Sequence, residues 1–166
     1  MLARIVVAAS LAVFVATQAP AMLASGKEPS AALSQPISST SRLANDATLM
    51  AGRDGHFAAK FVINGRPVAG VIDTGATFVA LSETDAQHIG IDSDDLVYDH
   101  TVATAAGDIK AARVTLASLT VGNVSLKDVD ALVVRNGALP TALIGMSFLG
   151  RLSSYAVAGD VMRLVE

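Results

Sequence analysis

The sequence predicts an all-β domain, a small barrel or sandwich of roughly 110 residues, behind a targeting segment and a linker. Three observations point there. From Gly55 onward, apolar residues alternate with polar ones in short runs broken by Gly, Asn and Asp. Apolar content leans to Ala and Val, with no Trp and five Phe, a small β-branched set that suits sheets. Hydrophobic residues make up 52% of the chain and charged ones 16%, so a core can form and global disorder is excluded. At 166 residues the chain has the length of one domain.

Residues 1–24 read as targeting. Arg4 and the amino terminus supply positive charge, an apolar run follows from Ile5 to Ala16, and Ala19 and Ala21 form an A-x-A arrangement. That is the layout of a secretory signal peptide. An uncleaved anchor is the alternative, because Ile5 to Ala24 is uncharged over about 20 residues, enough to span a bilayer. Either way Arg4 stays cytoplasmic and the rest of the chain crosses the membrane. Residues 25–54 are rich in Ser, Ala and Pro without a persistent apolar period, and are expected to be a flexible linker. The folded domain is expected over 55–166.

Within that domain Phe57, Ala59, Phe61 and Ile63 fall on one face of a strand. Asn64-Gly65 follows, a hairpin signal because both central positions of a type I′ turn take positive φ. A second strand over 66–72 runs into Asp73-Thr74-Gly75-Ala76, and Phe78 to Leu81 is a third. Ser82 and Asp85 fit a capping box, and Gly90 suits the helix end. Strand-like stretches then cover 97–104, 108–116, 118–122, 124–126 and 129–134, with turns at Ala106-Gly107 and Gly122-Asn123. Gly145 to Leu152 suits a short helix. Tyr155 to Val157 and Val161 to Val165 suit a closing hairpin over Ala158-Gly159-Asp160.

Many chemistries are absent. Net charge is −3 with no Lys/Arg cluster, which disfavours a nucleic-acid partner. There is no Cys, which removes disulfides, thiol nucleophiles and Cys-based zinc sites. No phosphate-cradling glycine loop occurs, and Gly145-Met146-Ser147-Phe148-Leu149-Gly150 misses a nucleophile elbow by one residue. His56, His88 and His100 lack metal-ligand spacing and read as ordinary structural or surface residues. Asp92, Asp94 and Asp95 lack calcium-loop spacing and read as a solvated loop. No cofactor and no metal are therefore expected.

Val71-Ile72-Asp73-Thr74-Gly75-Ala76 stands apart. An apolar strand delivers one carboxylate into a tight turn, and a strand leaves again. A plain β-turn would also use Asp and Gly. The turn resembles the catalytic turn of retropepsin-like aspartic proteases. The flank Thr77-Phe78-Val79-Ala80-Leu81-Ser82 matches too, as does the apolar-apolar-Gly segment Leu143-Ile144-Gly145. Thr104-Ala105-Ala106-Gly107 stands where such proteins carry a flap hairpin. Gly145 to Leu149 with Leu152-Ser153 looks typical of the bacterial, envelope-anchored branch. Ala106 departs from the pattern, since relatives often have Asn at the tip.

The resemblance covers 55–166 and implies a closed β-barrel lobe with one or two short helices, active as a two-fold homodimer. It implies an aspartic endopeptidase acting on a peptide or unfolded protein. The chain carries only one Asp-[Thr/Ser]-Gly, so the second carboxylate would be Asp73 of the other protomer. Like charges about 3 Å apart share a proton; one member activates water and the other protonates the scissile carbonyl. Thr74 would bond across the interface, Gly75 would admit close backbone approach, and Thr104, Ala105, Ala106 and Gly107 would close over an extended peptide. Optimal activity is expected at acidic to mildly acidic pH. The expected location is the bacterial cell envelope, either periplasmic or anchored in the inner membrane facing the periplasm, with membrane contact only through the N-terminal segment. The alternative function is a non-catalytic peptide-binding or assembly module on the same fold.

Overall fold

The computed structural model describes residues 45–104 and 107–166. Expectations for the targeting segment, for most of the linker, and for Ala105 and Ala106 lie outside the described residues. Ten strands, two short α-helices and one 3-10 turn are described.

The chain enters through β1 (Asp46–Met50), then forms the hairpin β2 (Ala58–Ile63) and β3 (Arg66–Ile72). Asn64 and Gly65 sit at φ of 50° and 79°, the turn that their side chains predict. Phe61 and Ile63 are fully buried, so the alternating face is the inner one. Next come β4 (Val79–Ser82), α1 (Glu83–His88), the 3-10 turn Ser93–Asp95 and β5 (His100–Thr104). The Ser82/Asp85 capping box is present in both directions, and Gly90 has φ 87°. β6 (Gly107–Val121) and β7 (Val124–Val134) form a long antiparallel pair turning at Gly122-Asn123. β8 (Ala142–Ile144), α2 (Met146–Leu149), β9 (Ser154–Ala158) and β10 (Val161–Val165) complete the chain.

Strands β2-β3-β8-β4-β7-β6 lie side by side, and a further β2–β6 pairing closes them into a six-stranded barrel. β5 adds outside β6 as a hairpin arm. β3 runs parallel to β8 and β4 parallel to β7, so the strands on either side of the Asp73 turn interlock with strands from the second half of the domain. Phe61, Ile63, Leu81, Leu116, Leu119, Ile144 and Phe148 fill the interior with essentially no exposure, each contributing about 1.5–3 kcal/mol by burial. The run Ala131–Val134 is buried throughout, as expected of a strand end covered on both faces. Val133 packs with Ala86 and Ala112 on the side of α1, whereas Leu132 and Val134 pack with Ala111 on the other.

Several sequence expectations are corrected. Residues 46–50 are not linker: β1 pairs along its whole length with β10 and buries Ala47 and Leu49. A five-residue alternation is too short to stand out in a Ser/Ala/Pro-rich context, and its partner strand lies at the far end of the chain. The breaks expected near residue 117 and at 127–128 do not end strands. Asp128 takes a positive φ of 52°, yet β6 and β7 keep register on either side. β5 begins only at His100, and the cluster around Asp92 forms a 3-10 turn in which Asp92 accepts from the Asp94 N–H.

Candidate active site

Asp73 follows the last residue of β3. Its N–H donates to the Ile144 carbonyl at 3.0 Å, so β8 anchors the turn where the ladder ends. The Gly75 N–H donates to Asp73 Oδ1 at 2.9 Å, and the Ala76 N–H to the Asp73 carbonyl at 3.3 Å. The first bond orients the carboxylate and the second closes the turn beneath it. Asp73 is half-buried, while Thr74 and Gly75 are exposed at the apex.

A second loop braces this one. The Met146 N–H donates to the Ala76 carbonyl and the Ser147 N–H to the Thr77 carbonyl, both at 2.8 Å. Ser147 Oγ accepts from the Val79 N–H at 2.9 Å and donates to the Asp130 carbonyl at 2.7 Å. At Gly145 the two loops come so close that a Cβ would lie 2.2 Å from the Phe78 carbonyl oxygen and 2.6 Å from that of Ala76. No side chain fits there, which gives the apolar-apolar-Gly segment its physical reason.

Asp73, Gly75 and Ala76 floor a cleft of about 670 Å³. Leu143 also lines it and pairs with Val71 and Ala80, while Ile144 is buried in the core and serves the site through its carbonyl. The β5–β6 hairpin forms the roof, pairing to its end at Thr104 and Gly107. Thr104 lines the cleft, and its hydroxyl donates to the Gly107 carbonyl at 2.6 Å. The remaining wall is apolar, with Leu132, Val134 and Leu139 at the back and Val102 and Ile109 above.

Sequence reading passed over this wall. It also took His100 for an ordinary residue, yet His100 lines the cleft and meets Phe78 edge-on, with ring centroids 6.2 Å apart. The signal was available: period two along β5 puts His100, Val102 and Thr104 on one face. His88 ends α1 with its ring nitrogen 3.1 Å from the Pro67 carbonyl, away from this site. Among the described residues no three acidic or histidine side chains gather as a metal site.

The root of the roof is pinned separately. Tyr98 Oη donates to Glu83 Oε1 at 2.7 Å, the Asn136 N–H donates to Oε2 at 3.2 Å, and Arg135 reaches Oε1 at 3.2 Å. The Arg135 guanidinium also stands 4.2 Å over the Tyr98 ring. The tyrosine hydroxyl first, then the Asn136 N–H, hold the Glu83 carboxyl below its usual value. Burial, reinforced by the Glu83 carboxylate, pushes the Tyr98 hydroxyl up to about 12.

Residues 59–151 match the family of gag-polyprotein putative aspartyl proteases. The chain belongs to this family. The family's fold is shared by solved structures. A crystallised retropepsin-like aspartic protease from Rickettsia conorii aligns with TM-score 0.65 and 35% identity, over 72% of this chain and 89% of that one. The EIAV protease bound to the inhibitor HBY-793 aligns with TM-score 0.51 over 62% and 93% of the two chains; at 16% identity it bears on fold alone. Two uncharacterized proteins, one from the cobV 5′ region of Sinorhizobium sp and one from Rickettsia prowazekii (strain Madrid E), are each 36% identical over 111 residues, 67% of this chain. The chain spans about half the length of these curated relatives, 48% and 47%. The protein is thus a retropepsin-like member of the aspartic protease family with a single lobe.

Proposed function

We propose that the chain is an aspartic endopeptidase, active as a homodimer in which the Asp73 carboxylates of two protomers face one water. The observation that carries this reading is the Asp73 turn itself: a carboxylate fixed by the Gly75 N–H, docked against Gly145, at the floor of a cleft roofed by a hairpin. In the reaction the ionised member of the pair takes a proton from water as the oxygen attacks the scissile carbonyl. The protonated member donates to the carbonyl oxygen. Collapse of the resulting diol breaks the C–N bond, and the amine leaves with a proton returned from the pair.

A single lobe supplies one carboxylate, so the second must come from a symmetry mate. An open sheet edge supports such pairing. β9 lies at the edge of the three-stranded β1-β10-β9 sheet, with all five residues exposed and Tyr155 and Val157 offering apolar surface. This edge is close to the turn, since Tyr155 Oη lies 3.9 Å from Met146 Sδ and the Met146 N–H is bonded to Ala76. The uncharged stretch behind Arg4 supports export to the cell envelope, where fractionation of expressing cells would find the mature domain.

The test is cleavage of an unstructured protein from pH 4 to 7 by the chain and by its Asp73→Asn form, with the mass of each measured in solution. A dimer whose turnover falls by about 1,000-fold or more in the variant bears out the paired mechanism. Equal activity in both, or a stable monomer that binds peptide without cutting it, returns the alternative of a binding module.

A further inference from the structure

We propose that His100 is a specificity-determining residue that selects a substrate side chain with a hydrogen-bond acceptor on an apolar stem, glutamate above all. This rests on the endopeptidase reading for its assay but not for its geometry. Asp73 and His100 are the two ionisable residues among the described residues that line the cleft, and they have different surroundings. Asp73 is engaged by the turn that holds it. His100 sits half-buried on the inner face of β5, opposite the fully buried Ala111, with its ring against the edge of Phe78. No described residue donates to or accepts from its imidazole, and the described part of the chain has no buried side-chain nitrogen left unbonded. The ring nitrogens are therefore not sealed in the core, and His100 is part of the cleft lining, within reach of a ligand bound there. Imidazole offers at least one N–H donor in either protonation state.

The surroundings of that donor define what it takes. Phe78 touches the His100 ring, and Val102, Ile109 and Leu139, which pack with Phe78 on Ala111, Leu132 and Val134, line the same cleft as an apolar wall. One cation already stands at the Phe78 ring: the Arg113 guanidinium lies 5.4 Å from its centroid and is held by Asp130 at 2.9 Å. A lysine on the substrate could bond the ring only through the acceptor nitrogen of the neutral imidazole, whereas the N–H donor is present in both protonation states. A leucine would satisfy the wall but leave the imidazole dry and unbonded. A glutamate lays its methylenes along Phe78 and Val102 and accepts from the ring, a charge-assisted bond in a partly desolvated cleft. A peptide bound as an added strand presents alternate side chains to one wall, so a single substrate position carries the preference.

The experiment is a peptide set in which one position at a time carries Glu, Gln, Lys or Leu, cleaved by the wild-type chain and by His100→Leu, His100→Ala and His100→Gln. At one position the wild type is expected to show kcat/KM about tenfold higher for Glu than for Lys. Both His100→Leu and His100→Ala bring that ratio close to one, and His100→Gln, which keeps an N–H, restores most of it. A structural role for His100 would lower all peptides together and leave the ratio standing; that result, or a wild type indifferent to Glu and Lys at every position, overturns the proposal. Fluorescence anisotropy of the same peptides on Asp73→Asn and on Asp73→Asn/His100→Leu separates the two readings. Glu-selective binding that depends on His100 sustains this inference even if no form cleaves, whereas unselective binding or none overturns it.

Discussion

The floor of the cleft and its roof are built on opposite principles. The floor is held from outside itself. Asp73 hangs from Ile144, Ala76 and Thr77 from Met146 and Ser147, and Val79 from a serine that is in turn bonded to β7. Its shape is over-determined by contacts that span the domain, and one of them tolerates only a hydrogen where a side chain would be. The roof is held by itself. β5 and β6 pair with each other from His100↔Ala111 to Thr104↔Gly107, and most of β5 is exposed. Its fixed point is at the root, where Tyr98 meets Glu83. A catalytic carboxylate gains from a position that does not relax, and a cover that must admit a peptide gains from few tertiary ties.

Breaking the floor should have the largest effect. Gly145→Ala forces a methyl against two carbonyl oxygens, and the expected cost is about 3 kcal/mol in urea denaturation, with loss of peptidase turnover. A variant of wild-type stability would show that the two loops can move apart, and the contrast would fail. Ser147→Ala comes next. It strips one partner each from the Val79 N–H and the Asp130 carbonyl, both part-buried, and should cost about 2 kcal/mol while leaving KM near the wild-type value.

The root of the roof should respond more gently, and through pH. Because Glu83 is held below its usual value when folded, its contribution is present above about pH 4.5 and is lost as pH falls through the lower folded value. Tyr98 has the opposite sign: its contribution holds below the ordinary value of 10.0 and is lost as pH rises toward about 12. Tyr98→Phe should therefore lower stability only slightly near neutrality, because solvent screens the cluster, and flatten both limbs of the stability profile. Its sharper signature is expected in KM for peptides, since loosening the root changes the roof more than the floor. An unchanged profile in Tyr98→Phe would mean that the Glu83 cluster is solvated decoration.

Some parts of this molecule were legible because their cause is local. Asn64-Gly65, the Ser82/Asp85 box, Gly90 and Gly122-Asn123 each encode a backbone shape within four residues, and each is found as read. The alternation of Phe57, Ala59, Phe61 and Ile63 fixes which face turns inward for the same reason. Parts whose cause is distant were not legible. β1 is a strand because β10 offers it an edge, and Asp128 interrupts dihedral regularity without ending β7 because β6 continues beside it. His100 read as ordinary because nothing next to it in sequence says that Phe78 lies across from it.

The sequence by itself determined the all-β class, the turns, the lone Asp-Thr-Gly and the order of the landmarks around it. Only the tertiary structure decided that Gly145 must lack a side chain, that Ser147 ties β4 to β7, and that an apolar wall and the His100 imidazole share a cleft with Asp73. The division has one physical reason. Dihedral preferences and alternation act between neighbours along the chain, whereas a cleft is the space left where residues far apart in sequence are brought together by burial of a common core.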